Sequence, residues 1–167
     1  IIQARIKFPK TANGVWPAYW MMGNDYGKVG WPKCGEIDIV ETGNADGIKN
    51  GTQTRHFGST LHWGTGAGAA HKQYGTSYLA PETNPLQNDD YHIITMEWNG
   101  NFMQMFYDLE DFSVSAKNKA RFYSVSIPSS TNTSDIGYYF QKPFFFIFNL
   151  AVGGNYTGIY NAGGITA

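Results

Sequence analysis

The sequence holds one cysteine, Cys34. That excludes an internal disulfide framework and a cysteine-ligated zinc site, each of which needs partners, and it leaves Cys34 as a small buried hydrophobe. Charge is also sparse. Only 15% of the 167 residues are charged, and 12 basic against 13 acidic side chains give a formal net charge of −1. Such a surface offers no field for nucleic acid or an anionic membrane, so a neutral partner is expected rather than a polyanion. No apolar run approaches the ~20 residues that cross a bilayer, and no basic-then-apolar leader opens the chain. Ile1 stands already inside a β-like run, as in a processed or trimmed product. A soluble monomer is expected. Helical periodicity is nearly missing too, and neither a repeat nor a linker divides the chain, so residues 1–167 are read as one domain.

What is abundant is aromatic residues, at 16%, and glycine, at 20 residues. Flat rings that can lie on pyranose C–H faces, with polar neighbours for the hydroxyls, suit a sugar-binding β-protein, though any aromatic-rich β-protein shares this composition. Ile2, Ala4, Ile6 and Phe8 alternate with Gln3, Arg5 and Lys7, a strand with one buried face that stops at Pro9. Val15–Met22 and Ile37–Val40 are apolar runs bounded by turn signals, as in strands covered on both faces. Phe57–Trp63, Tyr91–Trp98, Asn101–Tyr107 and Phe144–Val152 continue the series. Asn99-Gly100 between two of these runs predicts a hairpin with a type I′ turn. Residues 64–90 read as a long surface excursion that could wall a cleft, and Ser124–Asp135 as a connection. The expected architecture is all-β, a jelly-roll β-sandwich of two antiparallel sheets.

The informative segment is Gly35-Glu36-Ile37-Asp38-Ile39-Val40-Glu41-Thr42. Strand alternation puts Glu36 and Asp38 on one face and Ile37 and Ile39 on the other, but leaves Glu41 out of phase and buried among apolar groups. A β-bulge near Ile39 or Val40 removes the conflict and brings the three carboxylates onto one surface. Three acids in a row repel one another, and sandwich packing does not ask for them. Retaining glycoside hydrolysis does, because it needs one ionised and one protonated carboxyl group about 5–5.5 Å apart. An intervening Asp can help hold the outer pKa values apart. Two other readings stand beside this: an oxygen cage for calcium, which loops usually supply, and an exposed polar face.

Several blocks in order carry a resemblance: Gln3 to Pro9, Gly14 to Gly23, Trp31 to Glu41, Thr60-Leu61-His62-Trp63-Gly64, and Asn149 to Gly154. Together they resemble glycoside hydrolase family 16, the bacterial laminarinase and lichenase group, with the longer spacing before Glu41 resembling the bulged laminarinase type. The resemblance implies a concave glycan cleft, Glu36 as nucleophile, Glu41 as acid/base and Asp38 as their electrostatic partner. It implies that Trp31 packs against the sugar beside the cleavage point and that His62 lies near the acid/base end, where it could equally be structural. Trp16, Trp20 and Trp63 are expected in the core, whereas Asn24 and Arg55 are candidate hydroxyl-binding residues from loops. Family strands before the Arg5 block and after Gly153-Gly154 are absent, and the family's calcium site draws on those ends, so neither metal nor cofactor is assigned. The expected activity is endo-hydrolysis of β-1,3 or mixed β-1,3-1,4 glucan by a secreted enzyme. A non-catalytic glucan-binding module on the same fold, and a hydrolase of galactans such as agar or carrageenan, are the alternatives.

Overall fold

A computed structural model describes residues 1–166, and they form two antiparallel sheets. The larger sheet has the order β5-β4-β3-β2-β9 and the smaller β1-β6-β7-β8. Their strands are β1 (Ile2–Ile6), β2 (Val15–Gly23), β3 (Glu36–Thr42), β4 (His56–Gly64), β5 (His71–Leu79), β6 (His92–Trp98), β7 (Phe102–Tyr107), β8 (Arg121–Ser126) and β9 (Phe144–Val152). Short helices α1 (Tyr26–Val29), α2 (Ala45–Lys49) and α3 (Val114–Ala120) decorate the connections. The architecture is the all-β sandwich that the period-2 patterns predict, with the sheets open rather than closed into a barrel.

Between the sheets lies an apolar cluster in which Tyr19, Met21, Ile37, Ile39, Val40, Phe57, Leu61 and Trp63 of the larger sheet meet Ile94, Met96, Met103, Met105 and Tyr123 of the smaller. Along the central strands this layer takes mainly alternate residues, as the pleat requires. Cys34 is fully buried, the role expected of it. Trp63 lies in the cluster, also as expected.

Three local expectations need correction. The 64–90 excursion contains β5, which pairs with all of β4 from His56↔Leu79 to Gly64↔His71. Its pattern is mostly exposed, so an edge strand rich in Gly, Thr, Ser and Gln carries no alternation to read. The proposed connection from Ser124 likewise begins inside β8. The Asn99-Gly100 hairpin is present, but neither residue has a positive φ. Instead Asn99 Oδ1 accepts from the backbone N–H groups of Asn101 and Phe102 at 2.8 and 3.1 Å, an Asx-type closure of a longer loop with Trp98↔Met103 as its last pair.

β9 closes one side of the larger sheet by pairing along β2 from Val15↔Val152 to Gly23↔Phe144. Phe146, Phe148, Leu150 and Val152 are all exposed, although they share the inward-facing parity of Phe144. The smaller sheet ends at β1, so among the described residues no strand lies over that part of β9.

Candidate active site on the outer face of the larger sheet

β3 carries the bulge. Against β2 the register runs Met22↔Glu36, Trp20↔Asp38, then Tyr19↔Val40 and Ala18↔Glu41, so Ile39 is the extra residue. Against β4 the shift again falls between Asp38 and Glu41. Ile37, Ile39 and Val40 are completely buried in the core. Two consecutive inward residues restore the phase, and Glu41 returns to the face that already holds Glu36 and Asp38. The Ile39 carbonyl, which the bulge takes out of the ladder, accepts a hydrogen bond from Ser59 Oγ. At the head of the strand Gly35 has φ 74°, and a Cβ there would lie 3.0 Å from the Phe144 ring, which fixes glycine at the turn into Glu36.

Neighbouring strands complete the face. Opposite Glu36, Asp38 and Glu41, β4 presents His62, Thr60 and Gly58, and β5 continues the rows with Gln73, Gly75 and Ser77. On the other side β2 presents Met22, Trp20 and Ala18. An open depression of ≈ 570 Å³ is lined by Glu41, Thr60, Gln73, Gly75, Ser77 and Tyr156, among others.

Each acid has its own environment. Asp38 is 3% exposed and Glu41 9%, whereas Glu36 is only partly buried. Burial, then the neighbouring Glu36 charge, raise Asp38 well above the usual carboxylate range. Burial, with smaller contributions from Asp38 and Glu36, lifts Glu41 to about 8. Glu36 is raised by burial as well, but the His62 charge and a hydrogen bond from Trp31 oppose the rise. Glu41 Oε1 accepts from Trp16 Nε1 at 3.1 Å. Trp16 stacks on Tyr156 with centroids 4.5 Å apart, and the Tyr156 hydroxyl donates to the Glu41 carbonyl at 2.9 Å.

His62 Nε2 is 3.2 Å from Asp38 Oδ2 and 3.9 Å from Glu36 Oε1. It therefore sits at the Glu36 end of the row, across the strand from that residue, and not at the Glu41 end where the resemblance placed it. Trp31 is half-exposed beside it, with ring centroids 6.1 Å apart. The potential donor atoms of Glu36, Asp38 and His62 lie within 4.8 Å of one another. A hard cation wants six or more oxygens, often backbone carbonyls from loops, which this strand does not offer, and we assign the cluster to proton chemistry.

Three further placements, those of Trp16, Trp20 and Arg55, correct the sequence reading. Trp16 and Trp20 are not core residues: they share the parity of Ala18 and Met22, and Trp20 Nε1 donates to Asn149 Oδ1 at 2.6 Å. Both faces of β2 are apolar in sequence, so alternation alone could not tell which one faces the sheet interior. Arg55 is engaged elsewhere, with its guanidinium on the Ala80 carbonyl at 3.1 Å and on Glu82 at 3.0 Å, where it ties down the segment after β5. Asn24 is exposed beyond the end of β2, and its backbone N–H donates to the Pro143 carbonyl. No hydrogen bond among the described residues joins its side chain to the acids. Tyr156, in the irregular segment after β9, and His71, the first residue of β5, belong to the site and went unread. Neither sits in a pattern that a single sequence exposes.

A family model described as "XgeA-like, catalytic GH16 domain" matches residues 1–106. The chain is 34% identical over 158 residues to glucan endo-1,3-beta-glucosidase A1 of Niallia circulans, covering 94% of this chain and 20% of that protein. A Bacteroides ovatus mixed linkage glucan PUL GH16 structure, in complex with G4G4G3G product, superposes with a TM-score of 0.81 at 36% identity, over 98% of this chain and 60% of that one. The laminarinase catalytic domain of Thermotoga maritima MSB8 gives a TM-score of 0.70 at 32% identity, over 98% and 57%. The chain thus spans 20% of that curated relative and less than two thirds of these two solved chains. With most of its length matched by the family model, the chain belongs to glycoside hydrolase family 16.

Proposed function

We propose that this chain carries the catalytic strand of a retaining endo-β-glucanase acting on β-1,3 or mixed-linkage β-1,3-1,4 glucan. The observation that carries the reading is the Ile39 bulge, which sets Glu36, Asp38 and Glu41 on one face while their surroundings give them different protonation. At neutral pH Glu41, with a pKa of about 8, holds a proton. Glu36, the least buried of the three, is the ionised member, and Asp38 remains neutral in its dry position between them. Pairs of carboxyl groups driven apart in this way take the acid and nucleophile roles.

The reaction follows from that assignment. The Glu36 carboxylate attacks the anomeric carbon as Glu41 passes its proton to the departing glycosidic oxygen, leaving a covalent glycosyl-enzyme. Glu41, now ionised, removes a proton from water, and the resulting attack on the anomeric carbon frees Glu36 and returns the original configuration. A neutral Asp38 adds no second negative charge beside the Glu36 carboxylate, which leaves the nucleophile free to ionise. Trp31, half-exposed beside the Glu36 end, offers a ring face on which a sugar can stack. The near-neutral charge suits an uncharged polymer. A polymer of that size places the working enzyme outside the cell.

Reducing-sugar release from a panel of laminarin, lichenan, agarose and carrageenan tests the reading. Release from laminarin or lichenan is expected. Binding of glucan with no release would transfer the fold to a recognition role, and release from agarose or carrageenan alone would move the substrate to the galactans.

A further inference from the structure

Four residues inside the strands are glycine: Gly23 of β2, Gly58 and Gly64 of β4, and Gly75 of β5. A glycine weakens a strand, because it orders more backbone freedom and packs no side chain, so each needs a reason. Three have theirs inside the chain. A Cβ on Gly23 would run into the Cys34 carbonyl, one on Gly64 into the Ala70 carbonyl, and one on Gly75 would lie 2.7 Å from Thr60 Oγ1. Gly58 has no such reason. Its φ lies outside the left-handed region, and a Cβ there would meet only the Thr76 carbonyl and the Tyr156 hydroxyl, both at 3.6 Å, which is ordinary contact.

The bare backbone stands beside the acid. Gly58 is the β4 partner of Glu41 and shares the outer face with Thr60 and His62. The depression on that face is lined by Glu41, Gly58, Thr60, Gln73, Ser77 and Tyr156 among others, but not by Glu36, His62 or Trp31. It therefore opens from the Glu41 side of the row. Thr60, Gln73 and Ser77 bring hydroxyl and amide groups to its walls, and the peptide at Gly58 is a flat patch between them. A pyranose fits that chemistry, with its ring against the peptide and its hydroxyls turned to the polar side chains. Glycine within a strand marks a place where a ligand can come close to the backbone.

We propose that Gly58 is a specificity-determining residue: its bare backbone is the floor on which the departing glucose unit rests while Glu41 protonates the oxygen that unit carries away. The proposal rests on the hydrolase reading. An acid that delivers its proton to the glycosidic oxygen has the departing sugar beside it, and the depression beginning at Glu41 is the space for that sugar. The attacked sugar lies toward Glu36 and Trp31. A methyl group on Gly58 would raise the floor by about 1.5 Å, the length of a C–C bond. The chain tolerates that methyl, but the departing sugar would be lifted out of line with the Glu41 proton, and a misplacement of about 1 Å can cost on the order of a hundredfold in rate.

The experiment measures kcat/KM for the glucan that is hydrolysed and for the β-glycosyl fluoride of a disaccharide of the same glucose units, in the unaltered protein, Gly58→Ala and Gly58→Val. Fluoride departs without a sugar and leaves the depression empty. The ratio of glucan to fluoride therefore cancels any change in the folded fraction or in the nucleophile. Gly58→Ala should lower that ratio about tenfold to a hundredfold, and Gly58→Val at least as far. The melting temperature of Gly58→Ala should equal or exceed that of the unaltered protein, since alanine costs a strand less than glycine. An unchanged ratio overturns the proposal, whether the two activities fall together or not at all. A ratio that rises overturns it too, because the attacked sugar would then be the one on Gly58. So does a marked fall in melting temperature with alanine, which would show that the chain needs this glycine for itself. An unaltered protein that turns over no glucan retires the hydrolase reading and this proposal with it, whereas one that hydrolyses glucan with an unchanged ratio in the variants keeps that reading and loses only the role of Gly58.

Discussion

Replacing Glu41 with Gln should stabilise the fold while removing turnover of glucan, and the size of the gain should depend on pH in a direction fixed by the structure. Burial raises the Glu41 carboxyl from its ordinary 4.5 to about 8. Between those values the native state holds a proton that the unfolded chain has lost, so unfolding free energy falls as pH rises. The stability associated with the protonated acid is fully present below pH 4.5 and is lost progressively up to pH 8. At pH 7 the unfolded carboxyl is ionised across roughly 2.5 units, which at about 1.36 kcal/mol per unit is an upper figure of ~3 kcal/mol. An amide avoids this cost because it cannot ionise, and its oxygen can keep the bond from Trp16 Nε1. Its own desolvation offsets part of the gain, so about 1–3 kcal/mol is expected at pH 7. Urea denaturation of both proteins at pH 5, 7 and 8.5 measures it. The two curves should nearly coincide at pH 5 and separate steadily above it. A constant difference across that range, or a wild-type protein that is the more stable at pH 8.5, would show that Glu41 is not the buried, protonated acid described here.

Trp16→Phe removes the donor that favours the ionised form of Glu41, so the alkaline limb of kcat/KM should move upward by roughly one unit; an unmoved limb would mean that the 3.1 Å contact is absent in solution. Trp31→Ala should weaken glucan binding and turnover by an amount like that of other ring-stacking losses, about 1–3 kcal/mol by analogy, and unchanged kinetics would deny it a platform role. Glu36→Ala should abolish hydrolysis of every substrate, whereas Glu41→Ala should retain activity on an aryl glycoside whose leaving group needs little protonation. Azide should then give the α-glycosyl azide with the first variant and the β-glycosyl azide with the second, and the reverse pairing would exchange the two roles.

Most of the fold was legible because most strands bury one or both faces. Ile2 to Ile6, Phe57 to Trp63 and the β6–β7 hairpin announce themselves by alternation, and alternation is the physical consequence of the pleat. Two misses share one cause. β5 is an edge strand whose side chains are largely exposed, and α3 buries no residue at all, so packing wrote no apolar period into either. The Asn99-Gly100 turn shows a different limit: asparagine can close a hairpin through its side chain as readily as through a positive φ, and the dipeptide does not say which.

The site was legible for a reason that alternation itself supplies. An ionisable residue that falls out of phase in an otherwise regular strand must be either buried at great cost or rescued by an extra residue, and Glu41 is rescued at Ile39. What the conflict could not reveal is who stands opposite, because register across strands depends on partners far away in the chain. Trp16 and Trp20 therefore looked like core, and His62 was placed at the wrong end of the row. The same bulge that turns Glu41 outward also sets Ala18 rather than Pro17 across from it, which leaves Trp16 to reach its carboxyl from farther along β2. One inserted residue thus decides both which acids share the outer face and which aromatic side chain bonds the carboxyl of the last of them.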